Sequence, residues 1–207
     1  MIVHSMTEKE VEKEVLADML NAFKYEDANS NKFRRLVLKA SRFPVYSHHI
    51  YTSKNKNKWL ILLEARSKKE TGDLSRITNV AVFDSPHGFY SVMVSFMEGK
   101  PQLIFFPPHF FSRFRERIDF DVSGIDLMLR FFRHNASFVF SVKDILLSET
   151  SKITEIYGSC KEGVALGLVS TENNILFKTF VTYDMLKGEQ VETFTENERI
   201  RKEIHEV

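Results

Sequence analysis

The sequence predicts an α+β protein with a mostly antiparallel sheet, an N-terminal helical extension and helices packed on one side. Residues 7–40 carry apolar side chains at helical spacing. From Val45 onward, short runs rich in branched and aromatic residues alternate with turn signals. Because these runs follow one another closely, antiparallel neighbours are favoured over parallel crossovers. A chain of 207 residues can bury one sizeable core, so we predict a main domain over residues 45–207 and an extension over residues 1–44.

The extension is predicted to hold two helices. Thr7 and Glu10 have the spacing of a capping box at the start of an amphipathic helix that reaches about residue 28. The polar residues 27–31 are expected to break it. A second helix is predicted over residues 32–40, and Pro44 ends helical character.

The remaining elements follow from the same patterns. Strands are predicted near residues 48–53, 58–65, 77–83, 88–96 and 102–106. Pro108 is expected as the first residue of a helix and Ser123 as the N-cap of the next. Residues 138–142 fit either a strand or the edge of a helix. Later strands are predicted at 153–160, 163–169 and 175–183, followed by a polar helix at 195–205.

Composition excludes several classes of protein. Hydrophobic residues make up 43% and charged residues 28%, which is globular rather than disordered composition. No run approaches the roughly 18 apolar residues of a membrane span, and Glu8, Lys9 and Glu10 stand where a signal peptide needs an apolar run. We therefore expect a cytoplasmic protein without a membrane partner. Cys160 is the only cysteine, which excludes an internal disulfide and a cysteine-based zinc site. No metal and no cofactor are expected.

Basic residues are concentrated in the middle of the chain. Residues 31–69 hold eleven basic residues and a single acid, Glu64, whereas the segments at both ends are acidic. This distribution predicts a polyanion as partner of the basic segment. The alternatives are that the acidic ends fold back over it, or that it is an ordinary solvated surface. The candidates for nucleic-acid contact are Arg34, Arg35, Lys54, Lys56 and Lys58.

The predicted helix that begins at Pro108 separates polar from apolar residues. At about 100° per residue, His109, Arg113 and Arg117 share one arc, and phenylalanines occupy the other. His109 lies in the first turn, where the positive end of the helix dipole favours a neutral imidazole that can act as a general base. Guanidinium groups one turn apart can each bind two phosphate oxygens. The alternative is an ordinary solvent-facing surface on which Arg113 pairs with Glu116.

The last predicted strand holds a second candidate group. Regular alternation over residues 177–183 puts Lys178 and Thr182 on one face together with Phe180, and Thr179 on the other face. Both threonines cannot therefore point into one cleft. The choice between Thr179 and Thr182 stays open, and a strand with one wet face is the alternative.

Together these segments resemble the metal-independent ribonucleases of the barnase, colicin and RelE-like group found among bacterial toxins. The resemblance covers roughly residues 107–186. It implies that His109 acts as general acid or base, that Arg113 and Arg117 hold the scissile phosphate, and that Lys178 with Thr179 or Thr182 stabilises the transition state. The implied reaction is attack of a ribose 2′-OH on the adjacent phosphorus. It also implies RNA as substrate and an inhibitory protein partner, as for a toxin or mobile-element product.

Two other interpretations compete with a ribonuclease. The first is a non-catalytic module that binds nucleic acid or a protein through residues 31–69. The second is a structural protein that assembles through its terminal helices. The sequence predicts neither an oligomeric state nor an RNA sequence preference.

Overall fold

The computed structural model describes residues 1–71, 75–97, 99–146 and 152–205. Its helices are α1 (Glu8–Lys39), α2 (Pro108–Ile118), α3 (Gly124–Asn135) and α4 (Glu189–His205), with a short 3₁₀ helix at Tyr183–Met185. Its strands are β1 (Val45–Thr52), β2 (Lys58–Ala65), β3 (Arg76–Ser85), β4 (Gly88–Met97), β5 (Lys100–Phe106), β6 (Val139–Leu146), β7 (Lys152–Cys160), β8 (Gly163–Val169) and β9 (Ile175–Thr182). Residues 138–142, which fitted either element, thus belong almost wholly to a strand.

The described strands form a nine-stranded sheet in the order β1-β2-β3-β4-β5-β9-β8-β7-β6. Antiparallel pairing is recorded for β1 with β2, β2 with β3, β6 with β7, β7 with β8 and β8 with β9. The parallel pair is β5 with β9, where Ile104 lies opposite Ile175. The predicted α+β class and mostly antiparallel sheet are confirmed.

The chain divides into two compact units. Unit 1 consists of Met1–Pro86 and Ser91–Val94, and unit 2 of His87–Tyr90 and Ser95–Val207. Helix α1 packs on β1 and β2 within unit 1. The domain boundary expected after residue 44 therefore falls inside this unit.

Helix α1 is one continuous helix of 32 residues, so the predicted break at residues 27–31 is wrong. Two polar side chains of this segment bond to the helix itself: Asn29 Nδ2 donates to the carbonyl of Tyr25 and Ser30 Oγ to the carbonyl of Asp27, each at 2.8 Å. Bonds of this kind let Asn and Ser remain in a helix interior. The capping box of Thr7 and Glu10 is confirmed.

Helix α1 crosses the hairpin of β1 and β2 from its turn to its open end. Near the turn, Asp18 Oδ2 accepts hydrogen bonds from Asn57 Nδ2 and Trp59 Nε1, both at 2.9 Å. At the open end, Phe33 and Val37 are buried in a cluster that includes Leu63, Ala65 and Val45. The two ends of the helix are thus fixed over opposite ends of one hairpin.

Helices α2 and α3 pack in unit 2 through phenylalanine rings. The ring centroids of Phe114 and Phe180 lie 5.1 Å apart, and those of Phe114 and Phe131 lie 4.9 Å apart. Gly158 is required beneath this cluster, because a Cβ there would lie 2.7 Å from Cζ of Phe177. The cluster comprises Phe106, Phe110, Phe111, Phe114, Phe131, Phe132, Phe138, Phe140, Phe177 and Phe180.

Helix α4 contacts β6 and β7 through other residues. Asn197 Nδ2 donates to Ser141 Oγ at 2.7 Å and to Ser159 Oγ at 3.2 Å. Both serines alternate along their strands with Phe140 and Gly158, which belong to the phenylalanine side. Helices α2 and α3 thus share one side as predicted, and α4 covers the other face of β6 and β7. No helix of the described residues has the length and apolar character needed to cross a bilayer.

Candidate functional site

The polar arc of α2 is exposed as predicted. His109 and Arg113 are exposed and Arg117 is half-buried, whereas Phe110 and Phe114 are buried. Arg113 Nη1 donates to Glu116 Oε2 at 2.8 Å, with the two side chains 55% and 51% exposed. Arg117 Nη1 lies 2.9 Å from Sδ of Met185. The Arg113–Glu116 pair is the ordinary solvent-facing arrangement that was the alternative to a phosphate site.

Lys178 is the inserted residue of a β-bulge. On β8, Leu166 pairs with Thr179 and the next residue, Gly167, pairs with Phe177, which leaves Lys178 without a counterpart. Phe177 and Phe180 consequently both face the phenylalanine cluster, although regular alternation would put them on opposite faces. The predicted alternation of this strand is therefore wrong at Lys178, because a bulge shifts the faces by one residue.

The bulge also separates the two threonines. Thr179 pairs with Leu166, which pairs with Tyr157, and the Tyr157 ring meets Phe194 of α4. Thr179 therefore lies on the α4 face. Thr182 comes two residues after Phe180 and shares its face with α2.

The predicted catalytic group is not brought together. Helix α2 contacts β9 through its phenylalanines, so the arc with His109 and Arg113 points away from the strand that carries Lys178. Lys178 itself is exposed within the bulge, and Thr179 faces α4. Of the six predicted residues, Arg117 contacts Met185, which follows the end of β9 at Thr182 by three residues.

The basic segment is divided between the two ends of one hairpin. Arg34 and Arg35 are exposed on the C-terminal part of α1, over the open end of the β1–β2 hairpin. Lys54 and Lys56 are exposed in the turn at its other end, and Lys58 is half-buried at the start of β2. Arg34 and Arg35 also point about 100° apart around the helix. The five predicted nucleic-acid contacts therefore do not form one patch.

A different basic row emerges on α1. Lys24, Lys32, Arg35 and Lys39 are all exposed and fall within an arc of about 80° around the helix. Between residues 19 and 39, no Asp or Glu lies on this arc of the helix. Sequence reasoning missed this row because it counted charges along the chain rather than around the helix.

The basic row runs beside the edge strand β1. Tyr25 of α1 stacks on Tyr51 with ring centroids 4.3 Å apart and meets the edge of His49 at 5.8 Å. Burial lowers the pKa of His49, and the positive charges of His48 and Lys32 lower it further. The row on α1, together with His49 and Tyr51 on β1, is called the α1–β1 surface below.

A polar layer beneath α1 fixes this surface in place. Burial opposes ionisation of Asp18, but hydrogen bonds from Ser53, Trp59, Asn21 and Asn57 outweigh it and lower the pKa of the carboxyl. Asp18 itself is fully buried. Farther along, Asn79 Nδ2 donates to Glu26 Oε2 at 3.1 Å, and burial raises the pKa of Glu26.

Two further polar groups have structural roles. Arg130 forms a two-point ion pair with Glu162, and Asn135 Nδ2 donates to the same carboxylate at 2.6 Å, which fastens the end of α3 to the turn after β7. Cys160 is fully buried, and burial raises the pKa of its thiol, which is typical of a structural rather than a reactive cysteine.

The described part of the chain contains no group of three His, Cys, Asp or Glu side chains placed to hold a metal ion. The site that the geometry favours is the α1–β1 surface, which places exposed positive charges beside aromatic rings. No family model, curated protein or solved structure matches the chain.

Proposed function

We propose that this protein binds nucleic acid, with RNA as the first candidate, through the α1–β1 surface. The observation that carries the proposal is the acid-free row of Lys24, Lys32, Arg35 and Lys39 beside the edge strand β1. The sequence offered a nucleic-acid-binding module as an alternative to a ribonuclease. This proposal keeps that function but assigns it to one flank of α1 instead of the whole of residues 31–69. We further propose the cytoplasm as the place where it acts.

The dimensions and chemistry of the surface support this function. Strand β1 has 8 residues, which at about 3.3 Å per residue give a length of about 26 Å. One strand of a duplex presents about eight phosphates over that distance. Ammonium and guanidinium groups neutralise phosphates and release counterions, which drives binding without base contacts. His49 and Tyr51 add aromatic rings beside the N-terminal end of the row, where both meet Tyr25.

The test is salt-dependent binding of a labelled single-stranded RNA. We expect the dissociation constant to rise steeply with salt, and replacement of Lys32, Arg35 and Lys39 by Ala to weaken binding more than tenfold. The slope of log affinity against log salt should fall by about 2, because each lost phosphate contact removes about 0.7 for a single strand.

The matched control removes the same charge elsewhere. Arg34, Lys143 and Lys187 are exposed and lie outside the α1–β1 surface, so their replacement by Ala should leave the slope nearly unchanged. Equal losses in the two triple variants would show that net charge alone binds RNA, and the proposed surface would then be wrong.

The ribonuclease reaction and its inhibitory partner stay predictions from the resemblance. The geometry of α2 gives them less support, because His109 and Arg113 point away from β9 and Arg113 already pairs with Glu116.

A further inference from the structure

Helix α1 carries a second exposed feature, an apolar stripe on the flank away from the basic row. Leu20 is 62% and Phe23 38% exposed, and Leu16 and Met19 beside them are half-buried. The four residues fall within an arc of about 100°. A surface helix normally turns such a stripe toward a core, so an uncovered one indicates a contact with another molecule.

Charge along α1 indicates which molecule fits the stripe. On the flank of the stripe the helix carries Lys13 before Leu20 and Asp27 after it, whereas the basic row lies on the other flank. Two such helices side by side in parallel would place like charges together. In the antiparallel arrangement Lys13 of each helix faces Asp27 of the other.

We propose that two copies of the chain associate through this stripe, with their α1 helices antiparallel and a two-fold axis near Leu20. Lys13 and Asp27 each lie seven residues from Leu20, which is close to two turns, and both are exposed. Each therefore points within about 20° of Leu20. The axis then brings Lys13 of each copy opposite Asp27 of the other, as the self-complementary contact of a two-fold dimer requires.

The contact is small and leaves the basic row free. Stable interfaces bury about 1,600 Å², and one pair of helix stripes is a smaller contact, so we expect association at micromolar concentrations. The basic row lies on the other flank of α1, so association does not depend on nucleic-acid binding.

Sedimentation of the full chain at about 1 to 200 μM tests the contact. We expect the mass to shift from monomer to dimer over this range, and Leu20→Lys to weaken association at least tenfold. Leu38→Lys is the matched control, because Leu38 is 50% exposed on the same helix but far from the axis. A wild type that stays monomeric at the highest concentration, or equal effects of the two substitutions, would overturn the proposal.

Charge exchange tests the antiparallel register. Lys13→Glu and Asp27→Lys should each weaken the dimer, and the double variant should restore it because the exchanged charges meet again across the axis. Circular dichroism checks that each variant keeps its helix content. If the double variant stays as weak as the single ones, the helices do not meet in this register.

Discussion

The helix of unit 1 and the helices of unit 2 are held on their strands by different chemistry. Beneath α1, a buried carboxylate accepts hydrogen bonds from Asn57 and Trp59, and Glu26 accepts one from Asn79. Beneath α2 and α3, phenylalanine rings meet at centroid distances near 5 to 6 Å. The interface of α1 adds directional hydrogen bonds to the apolar cluster of Phe33 and Val37, whereas the interface of α2 and α3 is made by phenylalanine rings.

The difference determines what each interface can specify. The stability of an apolar contact depends on the area removed from water, so it changes little when the packed helices shift slightly. A buried acceptor is satisfied only when its donors lie in place, so Asp18 fixes the rotation and register of α1. That rotation decides which flank of α1 lies beside β1, and hence where the basic row stands.

The largest effect is expected in the phenylalanine cluster. Phe180→Ala removes a fully buried ring that meets Phe110 and Phe114 and should lower the free energy of unfolding by about 3–5 kcal/mol. Urea unfolding of the wild type and the variant measures this loss of free energy. Phe96→Ala is the control, because Phe96 is an exposed ring, and its cost should stay below about 1 kcal/mol. Similar costs for both would mean that the cluster is not the core of unit 2.

The next effect is expected at Asp18. Asp18→Ala leaves the buried indole N–H of Trp59 without an acceptor and the amide of Asn57 with Glu14 alone, and should cost roughly 2–4 kcal/mol. Asp18→Asn keeps the shape of the side chain but not the charge. If both substitutions cost less than about 0.5 kcal/mol, the polar layer does not hold α1 in place.

The same carboxyl makes stability depend on pH. The folded state holds the pKa of Asp18 below its usual value of 3.8, so ionised Asp18 stabilises the fold above about pH 4 and this stability is lost as the pH falls through the lowered pKa. The difference in unfolding free energy between wild type and Asp18→Asn should shrink in acid. A difference that stays constant down to pH 2 would contradict this assignment.

A smaller effect is expected on RNA binding through His49. Its pKa is lowered in the free protein, whereas a bound phosphate favours the imidazolium. Affinity should therefore rise several-fold as the pH falls from about 7.5 to about 5.5. His49→Asn should abolish the rise and His48→Asn should keep it, since neighbouring strand residues face opposite sides. The reverse outcome would place the RNA on the other face of β1.

The smallest effect is expected on the polar arc of α2. His109→Ala and Arg113→Ala should each change the free energy of unfolding by less than about 0.5 kcal/mol, because exposed ion pairs contribute little.

The same two variants test for ribonuclease activity. If binding is the whole function, RNA incubated with the protein in EDTA yields no 2′,3′-cyclic phosphate ends. Such ends, lost in both variants, would instead establish the ribonuclease.

Local patterns in the sequence predicted local structure well. Pro108 and the spacing of the phenylalanines predicted α2 and its two faces, and Thr7 with Glu10 predicted the start of α1. Features that depend on distant residues were not predicted. The bulge at Lys178 leaves no break in the pattern of β9, and its one signal is Gly167 on the facing strand, where a Cβ would lie 2.3 Å from the carbonyl oxygen of Leu176.

The candidate site was likewise predictable only as far as it depends on local sequence. The basic residues of α1 can be read from the sequence, but their meaning depends on β1 being an edge strand and on the polar layer that rotates the helix. Both are set by pairings across the sheet. The continuity of α1 escaped prediction because a turn-forming composition at residues 27–31 is also compatible with bonds inside a helix.

The parallel pairing of β5 with β9 has a consequence for synthesis of the chain. Ile104 and Phe105 find their partners only at Ile175 and Leu176, about seventy residues later. While the ribosome makes those residues, β5 presents an unpaired apolar edge of the kind that recruits other chains. A product truncated before Ile175 keeps that edge permanently, so premature termination within this stretch should yield aggregates rather than a shorter folded protein.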